Sequence, residues 1–389
     1  MCNVDIRVSE RVNTFLFLSL IKKEKEEFDR DDRIKETRNS ICEGIKEWER
    51  IYKNRLVKVY GWDPQKDRDK IEELSRRNLL FQFKDVEKDE NVEYLNFSLP
   101  LLGRHDFVHL LEGPNLVEMS SMLHCINSRL EERRLIREIL NISGAAMDFR
   151  MDGRYFFLGE EEKPWFDDNE KFQERDEIRK DFVYAVVCIE FKKGIKENGK
   201  FVELQLFLEK LDSISERSKG CILGMFLGFG LHDLIIILGS RKISEIILTV
   251  TDLRVAYPSE ENPSIVRDTS TIFSIPEEES EHYKEDCDIE YSTLVSIVAG
   301  DDQQVFKELD ILRDNKEIHS WLRGEIQIFE RQGYYDLIVS FTARSHYHAG
   351  LFTTKLYNLK PVLRTSTMVK MKEDKVMEKF ESWKKRKRR

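Results

Sequence analysis

The chain has 389 residues, enough for two to three domains of ordinary size. Hydrophobic residues make up 40% and charged residues 35%, which suits folded modules with small cores and not a disordered chain. A formal net charge of −9 excludes a protein-wide basic field for nucleic acid.

No apolar run reaches the roughly 18 residues that a membrane span needs, and no membrane partner is expected. The start lacks the charged and apolar regions of a signal peptide, so the chain is expected in the cytoplasm. Six cysteines are scattered with no Cys-x-x-Cys pair, and read as small buried apolar residues.

In chain order, residues 14–21 read as a strand. A helix over 30–51 follows, with Ile34, Ile41, Ile45 and Trp48 on one side. Residues 56–60 are expected to be a second strand, followed by an insertion over 61–100. That insertion holds a helix at 69–76 and added strands at 79–83 and 94–99. A helix over 118–130 comes next, and 143–150 or 155–158 closes the sheet. Residues 1–157 thus form a degenerate module.

An acidic linker, 158–180, separates this from a module over 181–276. Its strands are expected at 182–191, 221–227, 233–238 and 269–275, and its helices at 202–211 and 244–253. A second acidic linker, 277–290, precedes a module over 291–372. Strands there are expected at 291–298, 326–329, 336–341 and 366–371. Its helices open at Gly300-Asp301-Asp302 and run over 348–359, with Pro361 as the stop. Residues 373–389 read as a basic C-terminal helix and tail. The fold class expected is α+β, built from tandem ferredoxin-like β-α-β-β-α-β modules with antiparallel sheets.

One signature marks all three modules. It reads Gly103-Arg104-His105-Asp106-Phe107-Val108, then Gly230-Leu231-His232-Asp233-Leu234-Ile235, then Gly333-Tyr334-Tyr335-Asp336-Leu337-Ile338. Recurrence at intervals of roughly a hundred residues indicates one module used repeatedly. The second and third modules also end alike, in Arg267-Asp268-Thr269-Ser270-Thr271 and Arg364-Thr365-Ser366-Thr367.

These residues carry a resemblance to the ligand-binding, or RAM, domain of Lrp/AsnC-type regulators. The segments are Gly333–Val339 and Leu356-Tyr357-Asn358-Leu359-Lys360-Pro361-Val362, running on to Thr367. Pro361-Val362 stands where that family usually has glycine-valine. ACT and GYD-type domains share the fold and some of the pattern. The family sets a winged helix-turn-helix before the domain, and none is evident here. The resemblance implies a non-enzymatic regulatory sensor that binds a small metabolite, such as an amino acid, between modules and controls assembly or partner binding. Transcription regulation follows from it as an expectation.

Candidate ligand contacts are Asp106, Asp233, Asp336, His232, Tyr335, Thr269, Thr271, Thr365 and Thr367. The aspartates equally suit a turn, where a carboxylate bonds nearby backbone and glycine permits positive φ. The threonines suit strands. His105, His109 and His124, and His346 with His348, lack the compact spacing of a metal site. No nucleotide or nucleophile motif appears, and no cofactor is called for. Gly228-Phe229-Gly230 begins like a dinucleotide fingerprint but precedes a strand.

A second reading is a ferredoxin-like enzyme of small oxidoreductase or monooxygenase type, with His105, Asp106, His232 and Asp233 as acid–base candidates. A third uses the cations Lys384, Lys385, Arg386, Lys387, Arg388 and Arg389 to hold nucleic acid or an acidic protein. A homo-oligomer is expected, since small modules gain by pairing.

Overall fold

A computed structural model describes residues 4–8, 12–22, 29–60, 66–67, 97–113, 115–151, 154–156, 180–192, 201–211, 214, 218, 221–255, 265–279, 289–298, 302–330 and 335–371. The expected helix at 69–76, strand at 79–83 and cationic tail at 384–389 lie outside these residues.

The first module comprises β2 (Val12–Leu20), α1 (Arg30–Tyr60), β3 (Phe97–Leu102), β4 (Phe107–Gly113), α2 (Leu116–Glu132) and β5 (Ile136–Met151). Two short strands, β1 (Val4–Val8) and β6 (Arg154–Phe156), flank the outer end of β5. The second module comprises β7 (Val183–Phe191), α3 (Phe201–Leu211), β8 (Ile222–Phe229), β9 (Leu234–Ser240), α4 (Ile243–Val255) and β10 (Val266–Ser274). The third comprises β11 (Ile289–Ile297), α5 (Asp302–Asp314), α6 (Lys316–Trp321), β12 (Gln327–Glu330), β13 (Leu337–Phe341), α7 (His346–Asn358) and β14 (Val362–Met371). The fold is α+β with ferredoxin-like modules in tandem and antiparallel pairing throughout.

One element differs from expectation. Residues 56–60 are not a strand but the last turns of the 31-residue α1. Strand two of the first module is β3, expected only as an addition to the sheet. The run Leu56-Val57-Lys58-Val59-Tyr60 is rich in the β-branched and aromatic residues that favour strands. The helix that carries it packs along α2, through the pair Arg55–Glu118 and the hydrogen bond from Trp48 Nε1 to Glu118 at 3.1 Å, and continues through that run.

The first two modules close on each other. Each contributes four strands in the order four-one-three-two, β5-β2-β4-β3 and β10-β7-β9-β8. Strand four of each pairs with strand two of the other, so β5 joins β8 and β10 joins β3. The result is an eight-stranded barrel. Its interior is a packed apolar cluster that includes Phe15, Phe17, Val108, Val186, Phe226 and Ile235. The alternate residues of the same strands face the helices and join the larger core. A barrel leaves no free edges in these two sheets.

The two seams are unequal. β5 and β8 pair over Ser143–Phe229 to Ala146–Phe226. Glycine is needed here, because a Cβ on Gly144 would lie 2.6 Å from the Leu227 carbonyl oxygen. β10 and β3 pair only at Phe273–Leu102 and Ser274–Leu101. There the third module steps in. The His346 Nε2–H of α7 donates to the Ser274 carbonyl at 2.8 Å, and the Arg30 guanidinium donates to the Leu101 carbonyl at 2.6 Å. Arg30 also reaches Thr354 Oγ1 of α7 at 3.2 Å. The third module keeps a separate four-stranded sheet, β12-β13-β11-β14.

Candidate functional site at the strand ends

The three signature aspartates do the same thing in the three modules. The Asp106 amide donates to Leu18 O at 2.8 Å, and the Leu20 amide donates to Asp106 Oδ2 at 2.7 Å. Asp233 repeats this with Ile189 O at 2.9 Å and the Phe191 amide at 2.8 Å. Asp336 repeats it with Val295 O at 2.8 Å and the Ile297 amide at 2.9 Å. Each aspartate thus extends the ladder ahead of the first residue of its own strand and locks the last residue of strand one.

The other edge of that strand end carries a repeated irregularity. The pairing with strand four skips one residue in each module, at Arg137, Arg267 and Leu363. By this register Asp268, not Arg267, occupies the place of Arg364. Asp268 is therefore no insertion, and the matched arginines of the sequence are one position out of step. The glycine of the signature is also not uniform. Gly230 has φ of +130°, whereas Gly103 has no positive φ and nothing near its missing Cβ.

Beside each lock, the last inward-facing residue of strand one meets the ring of the signature. In the first module Ser19 Oγ lies 3.1 Å from His105 Nδ1, and the pair is buried. In the second, Glu190 Oε1 lies 3.9 Å from His232 Nδ1, with Arg267 3.9 Å from the other carboxylate oxygen. In the third, the Arg364 guanidinium lies 4.9 Å over the Tyr335 ring and donates to Ser296 Oγ at 3.2 Å. Sequence reasoning picked the rings but missed Ser19, Glu190 and Ser296. Their signal was the fixed spacing to the strand that the aspartate locks.

Burial pushes the His105 imidazole below its usual range, although Glu138 opposes this. Burial likewise raises the Asp106 carboxyl, against the pull of Arg30. The Arg30 Nε lies 3.6 Å from Asp106 Oδ1.

The remaining expected residues are dispersed. Thr269 and Thr271 are both half-buried along β10, with the Thr269 amide bonded to Asp268 Oδ1. Thr365 is half-buried on β14, while Thr367 is buried and shares a 3.0 Å hydrogen bond with Thr293. His105 and His109 do not share a face, since His109 points into the helix layer against Phe107. His124 is exposed on α2 and joins neither of them.

His346 joins Tyr291 Oη and the Ser274 carbonyl, whereas His348 meets Glu279 Oε1 at 3.3 Å. Ser345 Oγ sits 2.8 Å from the same His348 nitrogen, Nδ1, and caps α7. Serine and carboxylate on one nitrogen cannot form a relay, which needs them on opposite nitrogens. Among the described residues no group of three or more His, Cys, Asp or Glu is arranged to hold a metal ion. None of their helices is long and apolar enough to cross a membrane. Gly228, near the end of β8, lies against the His232 carbonyl, so the apparent dinucleotide fingerprint serves the turn into β9.

No family model matches this chain, and no curated protein matches it. Solved structures are similar to it at low identity. A heme-binding protein from Thermus thermophilus aligns at 11% identity and TM-score 0.36, covering 71% of this chain and 94% of that one. A mutant chlorite dismutase from Candidatus Nitrospira defluvii in complex with cyanide aligns at 11% and 0.34, covering 69% and 92%. A putative Dyp-type peroxidase from Shewanella oneidensis aligns at 10% and 0.33, covering 68% and 92%.

These similarities correct the expected membership in the Lrp/AsnC RAM family, and with it the reading as a non-enzymatic sensor in transcription regulation. The physical reason lies in the barrel. The space between the first two modules, expected to receive a metabolite, is filled by their own side chains.

Proposed function

We propose that the chain is an enzyme working by proton transfer at the Glu190–His232 pair, at the end of β7. One observation carries this reading. The same strand end occurs three times, and only the second copy has a carboxylate and an imidazole together there. In the first copy the histidine faces a buried serine, and in the third a tyrosine lies under an arginine. The first and third copies therefore act as internal controls for what the fold alone requires. The pair is also reachable, with His232 23% and Glu190 29% exposed, and Arg267 67% exposed beside them.

In this reading the His232 imidazole takes a proton from a substrate C–H or O–H. Glu190 steadies the imidazolium, and Arg267 stands beside the anion left on the substrate. The imidazole then returns the proton to that anion, so no oxidant or reductant is consumed. The substrate class is a small carboxylate- or carbonyl-bearing molecule. Asp233 positions His232 by locking the strand end from which it projects. The modules over 1–157, 181–276 and 291–372, joined by acidic linkers, and a cytoplasmic setting belong to the same reading.

Heme, named for one similar protein, does not fit the described residues. An axial histidine needs a free nitrogen facing a slot. His109 has both ring nitrogens without a hydrogen-bond partner and lies between sheet and helices. That layer is closed, however. Trp48, Met122 and Ile126 are buried in it, and Gly44 of α1 rests on the Ile126 backbone. His105, His346 and His348 are already bonded to neighbours, the buried His232 Nδ1 has no hydrogen-bond partner but faces the Glu190 carboxylate at 3.9 Å, and His124 and His319 are exposed on helices. Titration with hemin should give no stoichiometric Soret complex.

The test of the enzyme reading is exchange of substrate hydrogen for deuterium, followed by proton NMR in heavy water across a panel of small keto and carboxylic acids. One compound should exchange, and His232→Asn or Glu190→Gln should slow it roughly 10²–10⁴-fold. Exchange on no compound, or exchange indifferent to both substitutions, would remove this site.

A further inference from the structure

We propose that the third module closes its open sheet on the third module of a second copy of this chain. Two chains would then form between them the eight-stranded barrel that the first two modules form within one. This inference is independent of the Glu190–His232 reading.

The first argument is the apolar layer. Inside the barrel, four equivalent positions line each sheet just inward of the strand ends. In the first module they are Phe17, Val108, Leu99 and Ile142. In the second they are Cys188, Ile235, Phe226 and Ile272. Counting from the locking aspartates and the skipped residues places Leu294, Ile338, Phe329 and Met368 at these positions in the third. All four are apolar, yet Phe329 and Met368 are each 51% exposed, and Leu294 and Ile338 are only half-buried. A lone sheet facing water alternates apolar-in with polar-out. Here strands one to three keep apolar residues on both faces at that layer, as barrel strands do, and Met368 of strand four stands one pair further along, opposite Ser292. Further along the same face Ser292 and Ser340 bond to each other, and Lys370 lies 4.0 Å from Glu290, so the apolar patch is bounded.

The second argument is register. Both barrel seams set the same positions opposite each other. Leu102 and Phe229 lie four residues before their aspartates, and their partners Phe273 and Ser143 lie five residues past Asp268 and Glu138. A single rule thus governs how two such modules meet. The third module supplies both edges that the rule needs. Among the described residues, β12 and β14 end its sheet and each has a strand on one side only. Applied to two third modules, the register of the longer seam sets Met371 opposite Glu330 of the second copy. A two-fold axis uses this contact twice and closes, leaving no edge to propagate.

A second copy is favoured because the module's own pattern is the one that pairs. Residues 372–389 of the same chain are the competing cover. Sedimentation velocity on the full chain at micromolar concentration separates these. The expected result is a dimer. Phe329→Asp and Met368→Asp should weaken it at least about a hundredfold in Kd, since each places a charge in the buried layer. Both residues are exposed in the single chain, so melting of the monomer should be unchanged.

Register is read by mixing Glu330→Cys with Met371→Cys chains under mild oxidation. Within one chain the two sites lie on opposite edges, three strand spacings or about 14 Å across the sheet and six residues or about 20 Å along it, too far for a disulfide. Mixed chains should link, and neither variant alone should. A monomer at every concentration overturns the proposal and points to residues 372–389 as the cover. A dimer indifferent to both aspartates, or one whose mixed cysteines stay unlinked, overturns it as well.

Discussion

At the scale of single residues, the signature aspartates show why a short motif recurs where no chemistry does. Each carboxylate serves the amide of the last residue of strand one, and each aspartate amide serves the carbonyl two residues earlier. Asp336→Ala should cost about 1–3 kcal/mol in urea unfolding, because it strands the Ile297 amide. Asp336→Asn keeps an acceptor and should cost less than half of that. Equal effects of the two would mean that the carboxylate charge matters and the lock does not.

His346 is a different kind of strut. A carbonyl can only accept, so Nε2 carries the proton donated to Ser274, and Nδ1 accepts from the Tyr291 hydroxyl. Burial lowers its pKa to about 4. The folded protein thus holds His346 neutral where the unfolded chain, near 6.5, would already be protonated. Stability from this group is full above pH 6.5 and falls as pH drops toward 4, by up to about 1.4 kcal/mol per unit. Melting curves between pH 7 and 4 should show a steeper loss for the parent than for His346→Gln. A parallel pair of curves would contradict this.

At the scale of elements, α7 is the piece that fastens the third module to the barrel. Its N-terminus is capped by Ser345, whose Oγ accepts from the His348 amide. Gly350 lets the helix lie against Ile275, where a Cβ would collide with the isoleucine side chain. Lys22 adds hydrogen bonds to the carbonyls of Tyr357 and Leu359 at the far end, and burial brings its ammonium down to about 8. Gly to Ala within a helix ordinarily stabilises by roughly 0.5–1 kcal/mol. Here Gly350→Ala should instead destabilise by about 1–3 kcal/mol through overpacking. Ile275→Ala combined with it should recover part of that loss. Additive effects in the double variant would show that the two do not touch.

Much of this level was legible in advance. The strands and helices of the second and third modules stand within a few residues of where periodicity put them. The end of α1 was not legible, because Leu56–Tyr60 is rich in strand-favouring residues, whereas the helix it continues is held on α2 through Trp48 and Arg55. The small helix α6 also escaped notice, since six residues give too short a pattern to read.

At the scale of the whole molecule, the unequal seams divide the labour of holding the barrel. The β5–β8 seam is held by strand pairing, and the β3–β10 seam partly by side chains of α1 and α7. Amide exchange should therefore be faster over 101–102 and 272–275 than over 143–146 and 226–229. Replacing His346 by alanine should speed the first pair of segments and leave the second unchanged. Uniform protection, or a uniform response, would mean that the third module is a passenger.

The sequence by itself determined the module and its threefold use. Alternation and helical spacing are local, and the Gly-x-ring-Asp signature is contiguous, so both can be read along the chain. Of the candidate site it supplied the rings His105, His232 and Tyr335, since they sit inside that signature. It could not supply Ser19, Glu190 or Ser296, which come from a different strand and meet the rings only after folding. Nor could it tell that two modules turn their sheets toward each other while the third leaves the same face uncovered. That choice rests on which edges pair. Edge pairing depends on contacts between residues more than eighty positions apart, which no local pattern records.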